Sequence, residues 1–253
     1  MYICSTKNIF ILEMKKHLPN IITLFNLMSG LIALFYVFQR EWHLAFTFVI
    51  LGIGFDFLDG LVARSLNVSS AVGLQLDSLA DMVTSGVVPA FTMFFLLQDS
   101  LGVNLSDGIT FDFAHLAPLI GLVVALGSAY RLAKFNVDER QTSSFIGLPT
   151  PANTLFIMSL PLIIYHQNII DINSFLLNTY TLIIISIFSA YILNAELALF
   201  SLKFKDFSWR HNKEKFILIG LSVIMIPTLQ FISIPLIIVI YILLSLVFKS
   251  TES

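Results

Sequence analysis

Two pairs of aspartates lie in one mostly apolar stretch of the chain. Asp56 and Asp59 are three residues apart, and Asp77 and Asp81 are four residues apart. Either spacing puts both members of a pair on one face of an α-helix. Two helices joined by a loop can bring the two faces together, and such a cluster of carboxylates repels itself unless divalent cations lie within it. All-oxygen ligands suit hard cations such as Mg²⁺ or Mn²⁺, so the four aspartates predict a metal site.

Small and basic residues between the two pairs indicate what such a metal would hold. Gly60 and Ala63 leave room beside the aspartates for a bulky ligand, and Arg64 carries a planar guanidinium that suits phosphate oxygens. Gly73 permits close approach of the backbone to a ligand or to another helix. Together these residues predict a site for a diphosphate group that is bound by the metal and by Arg64.

The composition places this site in a membrane protein. The chain of 253 residues is 57% hydrophobic and 12% charged, whereas a soluble domain carries about 25% charged residues. This balance indicates a polytopic membrane protein. No basic stripe is interleaved with aromatics, so we expect no nucleic-acid partner. Cys4 is the only cysteine, which excludes an intramolecular disulfide and a metal site built from several thiolates.

Eight segments approach the roughly 20 apolar residues that a helix needs to cross the hydrocarbon core. None of them alternates apolar and polar residues as the strands of a membrane barrel do. We therefore predict an all-α, polytopic transmembrane helix bundle of about eight spans, with the first span retained rather than cleaved as a signal. The last two are separated by a short turn, so a hairpin or one kinked helix, and a count of seven, stay open. The predicted spans are 18–38, 44–64, 80–98, 114–134, 150–167, 175–198, 215–230 and 232–248.

The distribution of basic residues predicts the orientation of these spans. If the N-terminus is cytoplasmic and eight spans alternate, only Arg40 of the 14 Lys and Arg residues falls on the opposite side. The aspartates then lie near the cytoplasmic face, whereas the carboxylates of ion pathways usually lie near mid-membrane. A simpler alternative is that each aspartate is a helix-end charge in water. Four of them at these spacings, with Gly and Arg between, favour a site.

The acidic segment resembles the signature of the CDP-alcohol phosphotransferase family, D-x2-D-G-x2-A-R-x8-G-x3-D-x3-D. The resemblance implies a six-helix core, a homodimer, a site for two divalent ions, a CDP-linked donor and an alcohol acceptor. It implies that the four aspartates ligate or border the metals, that Asp81 is the general base, and that the donor contacts the residues between them. The matching positions are Asp56, Asp59, Gly60, Ala63, Arg64, Gly73, Asp77 and Asp81.

A polar pair opens the first predicted span. Asn20 and Thr23 in the run HLPNIIT are three residues apart, so they share a helix face that could meet the nucleotide. Asn20 could instead be an ordinary N-cap of the helix. In the family this Pro-Asn-x-x-Thr run lies near the nucleotide, so we predict that Asn20 and Thr23 contribute to the site for CDP-diacylglycerol.

Two further runs bear on the acceptor. Arg131 and Lys134 share a helix face at the end of the fourth span and could bind a carboxylate or a lipid phosphate, or could only anchor the helix at the membrane surface. The run from Tyr130 to Asn136 and the run from Phe145 to Asn153 together resemble the bacterial-type phosphatidylserine synthases of the family. That resemblance implies L-serine as the acceptor, with Arg131 and Lys134 near its carboxylate. Lys134 stands where arginine is more usual.

These observations lead to one functional hypothesis and two alternatives. We expect a bacterial inner-membrane enzyme, facing the cytoplasm, that moves a phosphatidyl group from CDP-diacylglycerol to serine. The same chemistry with glycerol 3-phosphate, inositol phosphate or choline is the first alternative, and an ion-coupled transporter is the second. The predicted organisation is a cytoplasmic segment 1–17, a membrane core 18–200, a charged cytoplasmic loop 201–214 and a two-helix membrane extension 215–253.

Overall fold

The computed structural model describes residues 2–103, 111–138, 145–167, 170–200, 208–209 and 212–249, and these are overwhelmingly helical. The chain divides into two compact units, residues 1–88 and 89–253. The prediction of an all-α, polytopic membrane bundle is confirmed. The predicted loop 201–214 lies mostly outside the described residues.

The first unit contains three helices. Helix α1 is Tyr2–Phe38, α2 is Trp42–Ser65 and α3 is Ala71–Asp81, and a π-helical segment, Met82–Val87, continues α3 without a break. Helix α1 packs along α2 and also contacts α3 and the π-helical segment. The segment predicted as cytoplasmic, 1–17, is helical from Tyr2 and runs directly into the first span. The acidic residues of the sequence motif are therefore carried by α2 and α3, both packed on α1.

The connection between α2 and α3 is short and defined by its polar residues. Asn67 adopts a left-handed backbone conformation with φ 51°, which turns the chain after α2. Ser70 then caps α3, because its hydroxyl accepts a hydrogen bond from the Gly73 amide at 2.9 Å. This tight turn brings the acidic faces of the two helices together, as their spacing in the sequence predicts.

The second unit is a larger helical assembly. Its buried core joins side chains from several helices, among them Met93, Leu97, Val124, Ile157 and Leu182. Two short strands of this unit, β1 (Phe145–Ile146) and β2 (Ala198–Leu199), pair antiparallel. The elements, in order, are α4 Val88–Leu101, α5 Phe113–Leu116, a 3-10 turn Ala117–Leu122, α6 Val123–Val137, β1 Phe145–Ile146, α7 Thr150–His166, α8 Ile170–Leu176, α9 Thr179–Asn194, β2 Ala198–Leu199, α10 Lys213–Leu229, a 3-10 turn Gln230–Ile232 and α11 Ser233–Lys249.

Each of the eight predicted spans is mostly helical, although 175–198 begins in α8 and runs past the end of α9 at Asn194. Within the described residues, five stretches are long and apolar enough to cross a membrane. Helix α9 is apolar but shorter, and the last two predicted spans form one apolar stretch. Gln230 interrupts that stretch with φ 51°, and α10 and α11 contact each other, which favours the hairpin alternative. The five stretches are His17–Phe38, Trp42–Ser65, Ala71–Leu101, Phe113–Val137 and Lys213–Val247.

Candidate active site

Three aspartates form a carboxylate cluster within the first unit. Asp56 and Asp59 of α2 and Asp77 of α3 offer oxygen atoms that all lie within 4.8 Å of one another. Asp59 is buried, and Asp77 Oδ1 is buried with no hydrogen-bond partner among the described residues. A buried carboxylate oxygen without a partner is costly unless a cation or a water meets it. The donor set, the close spacing and the unpartnered oxygen all fit a hard divalent cation.

Asp59 is oriented by a side chain of α1. Thr23 is buried, and its hydroxyl lies 2.5 Å from Asp59 Oδ2, to which it donates a hydrogen bond. The same hydroxyl lies 3.0 Å from the carbonyl oxygen of Pro19. A threonine can orient a carboxylate without neutralising it, so the negative charge of the cluster remains for a cation. Thr23 is thus beside the carboxylate cluster as well as at the position predicted to meet the nucleotide.

Asp81 occupies a different position from the other three aspartates. It is absent from the group of oxygens within 4.8 Å, and its Oδ1 accepts a hydrogen bond from Asn26 Nδ2 at 3.1 Å. Asn26 was not predicted as a site residue. One signal was available, because Asn26 follows Thr23 by three residues and so shares its face of an apolar helix.

A cavity of about 210 Å³ adjoins the cluster. It is enclosed by α1, by α2, and by α3 with the loop that precedes it. Six of the seven residues predicted to bind the CDP-linked donor line this cavity, and Arg64 is the one that does not. The lining residues are Pro19, Asn20, Thr23, Asp59, Gly60, Ala63, Val68, Ser69, Ser70, Gly73, Leu74 and Asp77.

Two features of the cavity were missed by sequence reasoning. Ser69 and Ser70 contribute hydroxyl-bearing side chains from the loop between the acidic pairs, at positions that the family pattern leaves unspecified. The only signal for them in the sequence was their residue type. That signal is weak, because serine is common at helix starts for capping alone. Their presence makes this wall of the cavity more polar than the motif indicates.

The two predicted glycines of the site differ in what surrounds them. A Cβ added to Gly73 would lie 3.0 Å from both Asn20 Oδ1 and Ser70 Oγ, so this glycine keeps two polar groups close together. A Cβ added to Gly60 would make ordinary contact, 3.5 Å from Arg64 Nη1. The guanidinium of Arg64 therefore folds back along α2 toward Gly60, which lines the cavity. Arg64 is exposed and has no ion-pair partner among the residues that the structure describes.

The residues predicted to bind the acceptor belong to the second unit. Arg131 of α6 is buried, with its guanidinium 5.9 Å from the centre of the Phe135 ring. Lys134 Nζ lies 3.9 Å from Glu196 Oε1, a partly exposed ion pair that contributes little stability. This pairing gives Lys134 a local role in the second unit. Binding of the serine carboxylate by Arg131 and Lys134 stays a prediction.

The second run that suggested serine, from Phe145 to Asn153, has a definite structural role. Gly147 adopts φ 79°, and its amide donates to the Leu197 carbonyl at 2.8 Å. Asn153 is buried, and its Oδ1 accepts a hydrogen bond from Ser189 at 2.6 Å. The run therefore ties α7 to α9 and to the β1–β2 pairing, as the rigid turn of its Gly and Pro residues predicts.

Comparison with known proteins adds to this geometry. The model of the CDP-alcohol phosphatidyltransferase family matches residues 16–199 of the chain. The chain is 34% identical over 139 residues to a CDP-diacylglycerol–serine O-phosphatidyltransferase of Bacillus subtilis, covering 53% of this chain and 70% of that protein. It is 30% identical over 166 residues to a protein of the same name from Methanocaldococcus jannaschii, covering 66% and 67%. It is 28% identical over 144 residues to an archaetidylserine synthase of Methanothermobacter thermautotrophicus, covering 56% of each.

Proposed function

The chain belongs to the CDP-alcohol phosphatidyltransferase family, and we propose that it transfers the phosphatidyl group of CDP-diacylglycerol to the hydroxyl of L-serine. The products would be phosphatidylserine and CMP. The observation that carries this proposal is the cluster of Asp56, Asp59 and Asp77 beside a cavity lined by the predicted donor residues. The similar proteins are named for different lipids, phosphatidyl and archaetidyl, but all are named for serine. Their names therefore support the acceptor in particular.

The cavity suits the polar part of the donor. Gly60, Ala63 and Gly73 leave it space, Ser69 and Ser70 give hydroxyl groups, and the diphosphate would lie toward the aspartates. Arg64 would bind phosphate oxygens from the end of α2, because its guanidinium presents paired N–H donors. The diacylglycerol tails would extend into the lipid, which the apolar outer faces of α1 and α2 contact.

The aspartates would hold Mg²⁺ or Mn²⁺, and we propose two ions. Asp56, Asp59 and Asp77 offer the clustered oxygens, with Asp81 bordering them. A bound divalent ion neutralises charge on phosphoryl oxygens and on a departing phosphate. Thr23 would keep Asp59 in the orientation that ligation needs.

Asp81 is proposed as the general base. The carboxylate takes the proton of the serine hydroxyl while the serine oxygen attacks the phosphorus that bears diacylglycerol. A phosphorus–oxygen bond forms to serine, and the bond from that phosphorus to the oxygen of CMP breaks, so that CMP leaves with the bonding electrons. Arg131 would hold the serine carboxylate, with Lys134 nearby. We further propose that the enzyme is a homodimer of a bacterial inner membrane, with its site facing the cytoplasm.

Purified protein incubated with CDP-diacylglycerol, Mg²⁺ or Mn²⁺ and labelled serine tests the proposal. We expect labelled lipid and an equal amount of CMP. Asp81→Asn should abolish turnover in a protein that keeps the circular dichroism spectrum of the wild type. Product with glycerol 3-phosphate, inositol phosphate or choline but none with serine would refute the acceptor and keep the chemistry. Failure to release CMP with any of these alcohols would refute the transferase itself.

A further inference from the structure

Asn26 is a buried polar residue that neither the family motif nor the cavity includes. It lies in α1, has no exposed surface, and hydrogen-bonds to two side chains distant in sequence. Its Nδ2 donates to Asp81 Oδ1 at 3.1 Å, and its Oδ1 accepts from Thr84 Oγ1 at 2.8 Å. A buried amide without such partners would be strongly destabilising. The two hydrogen bonds satisfy the amide, but they do not explain why an amide rather than an apolar side chain occupies this buried position.

The chemistry of the three groups permits one orientation of the amide. An ionised carboxylate only accepts hydrogen bonds, so Asp81 must face the NH₂ group of Asn26. The amide oxygen then faces Thr84, whose hydroxyl can donate to it. A reversed amide would place its oxygen against the carboxylate and lose the bond to Asp81, whereas the Thr84 hydroxyl could still accept from the NH₂ group. Asp81 therefore determines which end of Asn26 it meets, and Thr84 holds the other end through a second hydrogen bond.

The backbones around this chain of bonds are closely packed. A Cβ at Gly52 of α2 would lie 2.7 Å from Thr84 Cγ2 and 3.1 Å from Asn26 Oδ1. A Cβ at Gly30 of α1 would lie 3.0 Å from Thr84 Cα. Glycine at both positions lets α1 and α2 press directly against Thr84. The hydroxyl of Thr84 is thus held between two helix backbones.

Asp81 and Thr84 flank the start of the π-helical segment. The wider turn begins at Met82, directly after Asp81, and the Val88 amide donates to the carbonyl of Val83 in the i to i+5 pattern. Such turns are rare in helices and occur mainly where side chains must be placed for function. Here the wider turn lies directly beside the carboxylate that Asn26 contacts.

We infer that Asn26 is a positioning residue: its carboxamide, locked by Thr84, holds the Asp81 carboxylate in the orientation from which it receives the proton of the acceptor. This inference rests on the proposed function, because it takes Asp81 as the base. Asn26 carries no charge. It can therefore orient Asp81 without adding a positive charge that would compete with the metal ion for the carboxylates, as a lysine or arginine would. Replacement of Asn26 should therefore lower the rate of the chemical step and change the binding of the donor little.

Steady-state kinetics of Asn26→Ala, Thr84→Val and the double variant test the inference. We expect Asn26→Ala to lower kcat by about 10- to 100-fold, with KM for CDP-diacylglycerol within about twofold of the wild type. Thr84→Val should lower kcat by about fivefold, the effect of one lost hydrogen bond. The double variant should be no slower than Asn26→Ala, because Thr84 acts through Asn26. Thr84→Ser, which keeps the hydroxyl, should recover most of the rate lost in Thr84→Val.

Ser29→Ala is the matched control. Ser29 is buried one turn further along α1, and its hydroxyl bonds to the Phe25 carbonyl of the same helix at 2.8 Å, so its loss should leave kcat within about twofold. Normal kcat in Asn26→Ala, while Asp81→Asn is inactive, would overturn the positioning role and leave the proposed function intact. The positioning role would also be overturned if the loss of kcat in the double variant equalled the product of the two single losses. Equal changes of KM and kcat in Asn26→Ala would overturn it as well. No release of CMP by the wild type with any alcohol would overturn both.

Discussion

At the scale of single residues, the carboxylate cluster is surrounded by neutral partners. Thr23 and Asn26 orient Asp59 and Asp81 through hydrogen bonds but add no positive charge. Among the described residues, no lysine or arginine forms an ion pair with Asp56, Asp59 or Asp77. None of these contacts supplies a positive charge, which fits the proposed binding of a divalent cation by carboxylates within membrane-spanning helices.

Replacing one carboxylate of the cluster should weaken metal binding and activity together. Asp77→Asn keeps the shape of the side chain but removes the charge of an oxygen that is buried without a partner. Loss of a partner that only orients a ligand costs about 10- to 100-fold in metal affinity, so loss of a ligand should exceed about 100-fold. Electron paramagnetic resonance of Mn²⁺ measures the metal affinity, and release of CMP measures the activity.

Gln75→Ala is the control for that change, because Gln75 is exposed on the same helix, two residues before Asp77. It should bind Mn²⁺ as the wild type does. Equal Mn²⁺ affinity in Asp77→Asn and the wild type would show that Asp77 is not a metal ligand.

The cavity beside the cluster should be sensitive to a single methyl group. In Gly73→Ala the new Cβ would meet Asn20 Oδ1 and Ser70 Oγ at 3.0 Å and would intrude on the space expected for the donor. We expect KM for CDP-diacylglycerol to rise about tenfold, with kcat reduced less, since a misplaced wall affects ground-state and transition-state binding alike.

Gly54→Ala in α2 is the matched variant, because nothing lies within 4 Å of a Cβ added there. It should leave KM for the donor unchanged and should slightly favour the helix. If Gly73→Ala gave the same KM as Gly54→Ala, the cavity would not be the donor site.

At the scale of elements, the sequence predicts the helices well and their junctions poorly. The paired aspartates predict that α2 and α3 meet, and the apolar runs predict α1 and α2. The third span was placed at 80–98, yet its helix begins at Ala71, because Ser70 caps it and α1 packs along it. Hydropathy alone cannot reveal such a start in a polar segment.

The π-helical segment and the role of Asn26 were likewise not predicted. The residues of this segment, Met82–Val87, have no composition that separates them from α-helix, and the wider turn includes Thr84, which packs against two glycines. Asn26 contacts residues 55 and 58 positions away, a relation that depends on how the helices cross. Spacing within one helix could identify Asn26 as sharing a face with Thr23, but could not identify its partners.

Gly147 provides an energetic test at this scale. It has φ 79°, a conformation that costs other residues about 1–2 kcal/mol, and a Cβ there would collide with the Leu193 carbonyl oxygen. Gly147→Ala should therefore lower the free energy of unfolding of the detergent-solubilised protein by at least about 2 kcal/mol. Thermal unfolding followed by circular dichroism measures this as a lower midpoint.

The comparison is Gly220→Ala in α10, where nothing lies within 4 Å of an added Cβ and the helix should be slightly stabilised. An unchanged midpoint in Gly147→Ala would show that the β1–β2 pairing does not depend on this backbone conformation.

At the scale of the whole molecule, helix length and charge together place the site relative to the membrane. Asp59 lies six residues before Ser65, where α2 ends, and six helical residues span about 9 Å. Asp59 therefore lies in the half of α2 that ends at Ser65, about as far from that end as from the middle of the helix, and Asp56 lies nearer to the middle. Arg64 stands at that same end, and the distribution of Lys and Arg predicts that this end is cytoplasmic. We therefore predict that the carboxylates lie in the cytoplasmic half of the membrane, within reach of a water-soluble acceptor from the cytoplasm and a lipid donor from the membrane.

Cysteine labelling at the two ends of α2 tests that orientation. In a Cys4→Ser background, Ser65→Cys lies at the end near the aspartates and Gln39→Cys lies in the turn before Trp42, and both positions are exposed. A membrane-impermeant maleimide should label Gln39→Cys in intact spheroplasts and Ser65→Cys only in inside-out vesicles, because the positive-inside rule puts Arg64 in the cytoplasm. Detergent-solubilised samples, in which both sites should react, control for reactivity. The reverse pattern would place the aspartates on the outer face, away from the cytoplasmic serine and CDP-linked lipid on which the proposed reaction depends.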